Sequence, residues 1–216
     1  MRLHVLSSAA AAVLLSVARA QAPVPHDLKL RGDRFKPLAY DELTPQQKML
    51  VEHLYAGERG GMNGPFNVTL RSPEMGDLLQ KLGAELRFHS SVPAKLRELA
   101  IVMTARAWTA QYEWYAHSRS ALQAGIGKAT VDAIAAGKRP ANLPADEAVV
   151  YNFCEELIKT KQVGDSAFQA AVNSLGERGV VDLTALVGYY HVVSMLLNID
   201  RYPLPEGAKP ELQPLP

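Results

Sequence analysis

Residues 111–117 read Gln-Tyr-Glu-Trp-Tyr-Ala-His, setting a carboxylate and an imidazole four residues apart within an alanine- and leucine-rich helical run. On a helix, positions i and i+4 share a face, so Glu113 and His117 can meet. Glu98 is the third candidate. If the chain reverses near residues 107–109, the flanking helices form an antiparallel hairpin, with Glu98 and His117 nearly equidistant from the turn. If the helix runs on instead, a rotation of about 100° per residue still gathers all three groups on one side. Leu96, Leu99, Ile101, Val102, Tyr112 and two candidate pocket walls, Trp108 and Trp114, surround them. Such burial raises a carboxylate's pKa and favours a protonated imidazole beside it. Coupled groups of this kind are what proton transfer near neutral pH requires. The ordinary alternative is an ion pair or a solvated helix face, since Glu-x-x-x-His is common on helices.

Other chemistry-bearing residues carry weaker signals. His89 closes a helix just before the one bearing Glu98. It is a candidate second proton donor, although a basic residue at a helix C-terminus also has a dipole explanation. His191, in GYYHVV, reads as a core histidine. The lone cysteine, Cys154, sits in VVYNFCEEL and reads as a buried inert thiol. Carboxylates and imidazole bind divalent ions, but no HxxxH and no second strong histidine ligand accompany the three groups. No metal and no organic cofactor are expected. Asn67-Val68-Thr69 spells a glycosylation sequon, which matters only in a eukaryotic secretory pathway.

The elements that must position these groups are all helical. Thr44, Pro45 and Gln47 form an N-terminal capping box for a helix reaching Tyr55 or Ala56. Gly60, Gly61, Gly64 and Pro65 make a loop. Ser72 caps and Pro73 opens a second helix that runs through Leu86. Pro93 begins a third, through Trp108, and a fourth runs from about Thr109 to Gly125. Residues 128–137 form a short helix and Pro144 opens the next. Asp165 or Ser166 caps the helix ending at Gly176, and VVDLTALVGYYHVVSMLLN makes the last. No stretch alternates with period two, so the chain is all-α, a single domain of about eight helices without repeats.

Composition narrows the class further. The 216 residues carry 23 basic and 22 acidic side chains, a formal net charge of +1, so no basic surface asks for nucleic acid. The start, MRLHVLSSAAAAVLLSVARA, has a basic residue, an apolar stretch and a small-x-small ending. That is a secretory signal over residues 1–20, too short to span a bilayer as a stable helix. No other segment reaches membrane-spanning length on this reading. Residues 21–43 form an extended arm, 44–200 the helical domain and 201–216 a proline-rich tail. A periplasmic or secreted protein with one thiol has no internal disulfide, so its stability must come from packing.

LRELAIVMTARAWTAQYEWYAHSRSALQAGI resembles the central motif of the carboxymuconolactone decarboxylase family, relatives of the alkylhydroperoxidase D proteins. GPFNVTLRSPEM and GVVDLTALVGYYHVV resemble that family's flanking segments, and the likeness covers most of residues 41–200. It implies the alkylhydroperoxidase D-like helical fold, with trimers or pairs of trimers. Glu98 and His117 match the family glutamate and histidine. The two cysteine positions of the peroxidase branch hold Ala110 and Glu113, so dithiol peroxidase chemistry is excluded. The resemblance instead implies a cofactor-independent lyase or isomerase on a small carboxylated lactone or aromatic-derived compound. His117 would shuttle the proton, Glu113 would partner it and Glu98 would orient it. Phe66 and Asn67 match the family's loop, and Arg71 beside them is a candidate for holding a substrate carboxylate. A non-catalytic helical module that binds a small ligand or assembles other proteins is the competing class. For the exported protein, intact-mass measurement on material from the native host should find a chain starting within two residues of Gln21. Retention of Met1 on most of the soluble protein contradicts the export reading.

Overall fold

The structure, a computed structural model, describes residues 24–215, so the expected signal over residues 1–20 lies outside the described residues. Among the described residues there are eight α-helices and no strand. They are α1 (Pro45–Ala56), α2 (Phe66–Thr69), α3 (Pro73–Ala84), α4 (Ala94–Ala107), α5 (Gln111–Gln123), α6 (Lys128–Ala135), α7 (Ala145–Thr160) and α8 (Asp165–Asp200). A 3-10 turn at Tyr40–Glu42 precedes α1, and a π-helical turn at Glu85–His89 extends α3. All-α architecture was legible in the sequence; the one-turn helix α2, inside the glycine loop, was not.

The caps explain most of the boundaries. At α1 the Thr44 hydroxyl accepts from the Gln47 amide while Gln47 Oε1 accepts from the Thr44 amide, the expected reciprocal box. Ser72 makes no side-chain cap at α3, contrary to expectation. Gly164, not Asp165 or Ser166, is the N-cap of α8. Asp165 falls inside the first turn, where its charge suits the helix dipole. Gly176 has φ 71° and ψ 169°. That left-handed backbone, open to glycine, breaks α8 where the sequence places a boundary between two helices.

Helix α4 is the hub. It packs against α5, α6, α7 and α8, and Leu99 through Arg106 are buried without interruption. A helix buried on every side along such a run belongs inside a bundle. Helix α8 is long and apolar enough to cross a membrane by length and composition, which the sequence reading did not anticipate. Half of that stretch is buried inside the fold.

A second, smaller core joins the arm to α1 and α2 through Leu28, Leu43, Leu50, Leu54 and Phe66. The arm is anchored on its own chain. The Phe35 amide donates to Asp200 Oδ1 at 2.7 Å, the Arg34 amide to the Asp200 carbonyl, and Asn67 Nδ2 to the Phe35 carbonyl at 2.6 Å. The backbone passes so close that a Cβ on Gly32 would stand 2.4 Å from Asn67 Nδ2. The C-terminal tail is also docked, with Gln111 bonding the Leu212 carbonyl and amide at 2.7 and 3.2 Å.

Cys154 has no exposed surface, and burial pushes its thiol up to about 12. A charged thiol reagent at about pH 8 should therefore leave the folded protein unlabelled and label the urea-unfolded chain in full. Rapid labelling of the folded protein contradicts this packing.

Candidate active site

The hairpin of α4 and α5 forms as the spacing requires, turning through Trp108, Thr109 and Ala110. Thr109 takes a positive φ of 47°, and Arg106 Nη1 donates to its hydroxyl at 3.0 Å. This reversal brings Glu98 opposite His117. Glu98 Oε2 lies 2.7 Å from His117 Nδ1, and Glu113 Oε1 lies 3.2 Å from His117 Nε2. His117 and Glu113 are 6% and 4% exposed. Burial by itself would push the imidazole pKa down. The hydrogen bonds to Glu113 and Glu98, with the charges behind them, outweigh it and hold the pKa up to about 9. At neutral pH the group is an imidazolium that donates Nδ1–H to Glu98 and is ion-paired through Nε2 with Glu113. The Tyr190 ring stands edge-on to it at 5.1 Å.

A pocket of about 290 Å³ opens on this pair. Glu113 and His117 line it, while Glu98 does not and bonds the imidazole from outside. Phe66, Tyr112, Tyr189 and Tyr190 form aromatic walls, and Arg59 and Arg87 bring two guanidinium groups. Arg59 Nη2 donates to the Tyr189 hydroxyl at 3.0 Å, and its charge lies 5.1 Å from the Phe66 ring centre. Gly83 makes room for this contact, since a Cβ there would fall 2.1 Å from the Tyr189 hydroxyl. Arg87 comes from the π-helical turn, a local widening often found at functional sites. Among the described residues neither arginine has a carboxylate ion-pair partner within 4 Å.

The aromatics of residues 111–117 have separate jobs. Tyr112 is a pocket wall whose hydroxyl accepts from Arg31 of the arm at 3.2 Å. Trp114 is buried and donates its indole N–H to Glu211 of the tail at 3.1 Å. Tyr115 lies beneath the Arg119 guanidinium.

Of the six residues expected to bind substrate, Phe66 alone lines the pocket. Asn67 is 1% exposed and holds the arm, which also leaves no room for a glycan. Arg71 donates to the carbonyls of Asn67 and Lys36, so its guanidinium pins the arm instead of facing the pocket. His89 pairs with Glu58 at 2.7 Å on the surface. Trp108 is 38% exposed and packs edge-on against His191, and Trp114 is committed to the tail. Sequence reasoning missed Arg59, Arg87, Tyr189 and Tyr190. The adjacent tyrosines stand in GYYHVV, where His191 alone was weighed, and the glycine-loop arginine carried no motif.

The comparisons with known proteins agree with this geometry. The carboxymuconolactone decarboxylase family matches residues 73–150, the stretch that carries all three acid–base groups. No curated protein sequence matches the chain. One similar solved structure is a protein of unknown function from Agrobacterium tumefaciens, described as an antioxidant defence protein of the AhpD type. It has 13% identity and a TM-score of 0.53, covering 66% of this chain and 99% of that one. Another is a cysteine-to-alanine variant of the debrominase Bmp8 in complex with 2,3,4-tribromopyrrole. It has 13% identity and a TM-score of 0.59, covering 80% and 91% of the two chains. At such identity these likenesses establish the fold, which is of a type that enzymes use. The family match is therefore centred on the hairpin of Glu98, Glu113 and His117, and the fold around it is similar to that of AhpD-like proteins.

Proposed function

We propose that the protein is a cofactor-independent acid–base enzyme of decarboxylase, lyase or isomerase type, acting on a small carboxylated lactone or aromatic-derived compound. The observation that carries this reading is the imidazolium held between two carboxylates, with one carboxylate and the ring both facing a pocket. With a pKa of about 9, His117 at neutral pH is an acid, not a base. It delivers a proton to an oxygen on which negative charge develops. Glu113 takes or returns the proton on carbon, and Glu98 keeps the imidazole charged and oriented. Arg59 and Arg87 take over the role expected of Arg71, holding a substrate carboxylate against the aromatic walls. The non-catalytic module reading would be favoured by a motif packed dry, without a cavity beside it.

Export and self-association belong to the same reading. The signal pattern of residues 1–20 supports a periplasmic or secreted location. A homo-oligomer, trimer or hexamer, is supported by the outward face of α8. Val181, Val192, Met195 and Ile199 are 67%, 36%, 38% and 48% exposed, and residues 183–199 contain no Asp, Glu, Lys or Arg. An uncharged helical face of that length fits a protein–protein contact. Light scattering should give an oligomer for the wild type and a smaller species for Met195→Glu. A wild-type monomer across the micromolar range contradicts the assembly.

The catalytic reading predicts that His117→Ala and Glu113→Gln each lower turnover by about 10²- to 10⁴-fold on a substrate found among small lactones and carboxylated aromatics. The losses should not add in the double variant, because the groups act as a unit. A purely structural ion pair predicts instead a stability loss of about 3–5 kcal/mol with turnover unaffected. Wild-type turnover in a folded His117→Ala protein ends the reading.

The pH dependence has a definite sign. His117 is raised from 6.5 to about 9 in the folded protein. Its contribution to stability is therefore complete below about pH 6.5 and is lost as pH rises through about 9. Thermal melts of the wild type should fall across that window relative to His117→Ala. The kcat/KM profile should lose activity on its alkaline limb near 9, and Glu98→Gln should move that limb to lower pH. A limb that stays in place in Glu98→Gln removes Glu98 from the positioning role.

A further inference from the structure

We propose that a second pocket, at the C-terminal end of α4, binds a small amphiphilic monocarboxylate through Arg106. The pocket measures about 300 Å³ and shares no lining residue with the pocket of Glu113 and His117. That volume is at the lower end of those that hold small organic ligands, roughly 300–1,000 Å³. Met103, Ile134, Tyr151, Ile158 and Leu215 supply an apolar lining.

The charge inside is what calls for an anion. Arg106 is 5% exposed, and its Nε has no hydrogen-bond partner. Among the described residues its only side-chain hydrogen bond is the one from Nη1 to Thr109, and no carboxylate pairs with it within 4 Å. Burial lowers its pKa, yet a guanidinium stays protonated at any physiological pH. A buried cation without a counter-charge destabilises a fold unless a ligand supplies the charge. Glu155, the acid that lines this pocket, is already engaged by Arg139 at 2.8 Å and Lys159 at 2.7 Å. Lys138 adds a further positive charge to the lining. A planar carboxylate matches the fork of the guanidinium, and an apolar body matches the walls. Gly137 keeps the space beside the charge clear. A Cβ there would stand 2.7 Å from Leu215 Cδ2 and 3.8 Å from Arg106 Nη2.

Octanoate is a suitable probe and 1-octanol its neutral counterpart, tested by calorimetry and by thermal shift on the mature protein. Octanoate should bind with a Kd below about 1 mM and raise the Tm, and 1-octanol should bind at least about tenfold more weakly. Arg106→Leu should weaken octanoate at least about tenfold. It should also fold well, because it removes a buried charge that no carboxylate among the described residues pairs with. Ala107→Phe, at an exposed position on the pocket, is the second variant and should block binding with Arg106 intact. Arg87→Ala, in the other pocket, should leave the Arg106-dependent binding unchanged. Equal binding of octanoate and octanol, or equal octanoate binding by wild type and Arg106→Leu, overturns the proposal. Binding lost in Arg87→Ala and kept in Arg106→Leu would put the carboxylate in the acid–base pocket and also overturn it. So would an absence of octanoate binding together with dissociation of the assembly in Arg106→Leu, which assigns the missing charge to a second copy of this chain.

Discussion

An imidazolium clamped between two carboxylates, almost out of reach of water, is the constraint around which this fold is arranged. Taking three ionisable groups into a helical bundle is unfavourable unless each finds its partner, and removing one partner strands the others. The hairpin of α4 and α5 supplies that partnership by register alone. Glu113 and His117 meet because they are four apart on one helix, and Glu98 meets His117 because the chain reverses between them. The turn at Thr109, the tail docked on Gln111 and the indole of Trp114 bonded to Glu211 all fix α5 against α4. The site is therefore held in place by contacts far outside its own pocket.

The arm contributes to the same end. Arg31 bonds Tyr112 at the pocket wall, while Asp200, at the end of α8, holds the Phe35 amide. Asn67 and Arg71, read from the sequence as substrate contacts, are the clips that bind this arm to the glycine loop. Their types suit carboxylate recognition, but their positions serve the chain itself. The arm is thus anchored on its own chain through Phe35 and Arg34.

What was legible in the sequence follows from how local the signal is. The helices announce themselves through caps and breakers such as Thr44, Pro73, Gly125 and Gly176, whose effects act within a few residues. The triad was legible because one spacing and one turn determine it. The rest of the pocket lining was not, since Arg59, Arg87 and Tyr189 come from three segments distant in sequence. They converge only because Gly83 lets Arg59 and Tyr189 touch and a π-helical turn carries Arg87. No spacing rule reaches across such distances. Arg106 shows the same limit: a basic residue in the last turn of a helix has an ordinary dipole explanation, and its burial without a carboxylate partner among the described residues is visible only in the fold.

The two pockets have a common electrostatic logic, each carrying at least one guanidinium that no carboxylate among the described residues pairs with within 4 Å. In the pocket of Glu113 and His117 the guanidinium groups sit beside a buried imidazole and carboxylate; in the second, Arg106 sits beside a largely apolar lining that also holds Lys138, Glu155 and Lys159. The claim on which the catalytic account rests is the charge of His117. Nitrogen-15 NMR of the histidine-labelled protein, with His117 assigned by comparison with His117→Ala, measures that charge directly. The account predicts both ring nitrogens protonated at pH 7 and a titration near 9. A single protonated nitrogen at pH 7, titrating near 6.5 or below, would contradict it.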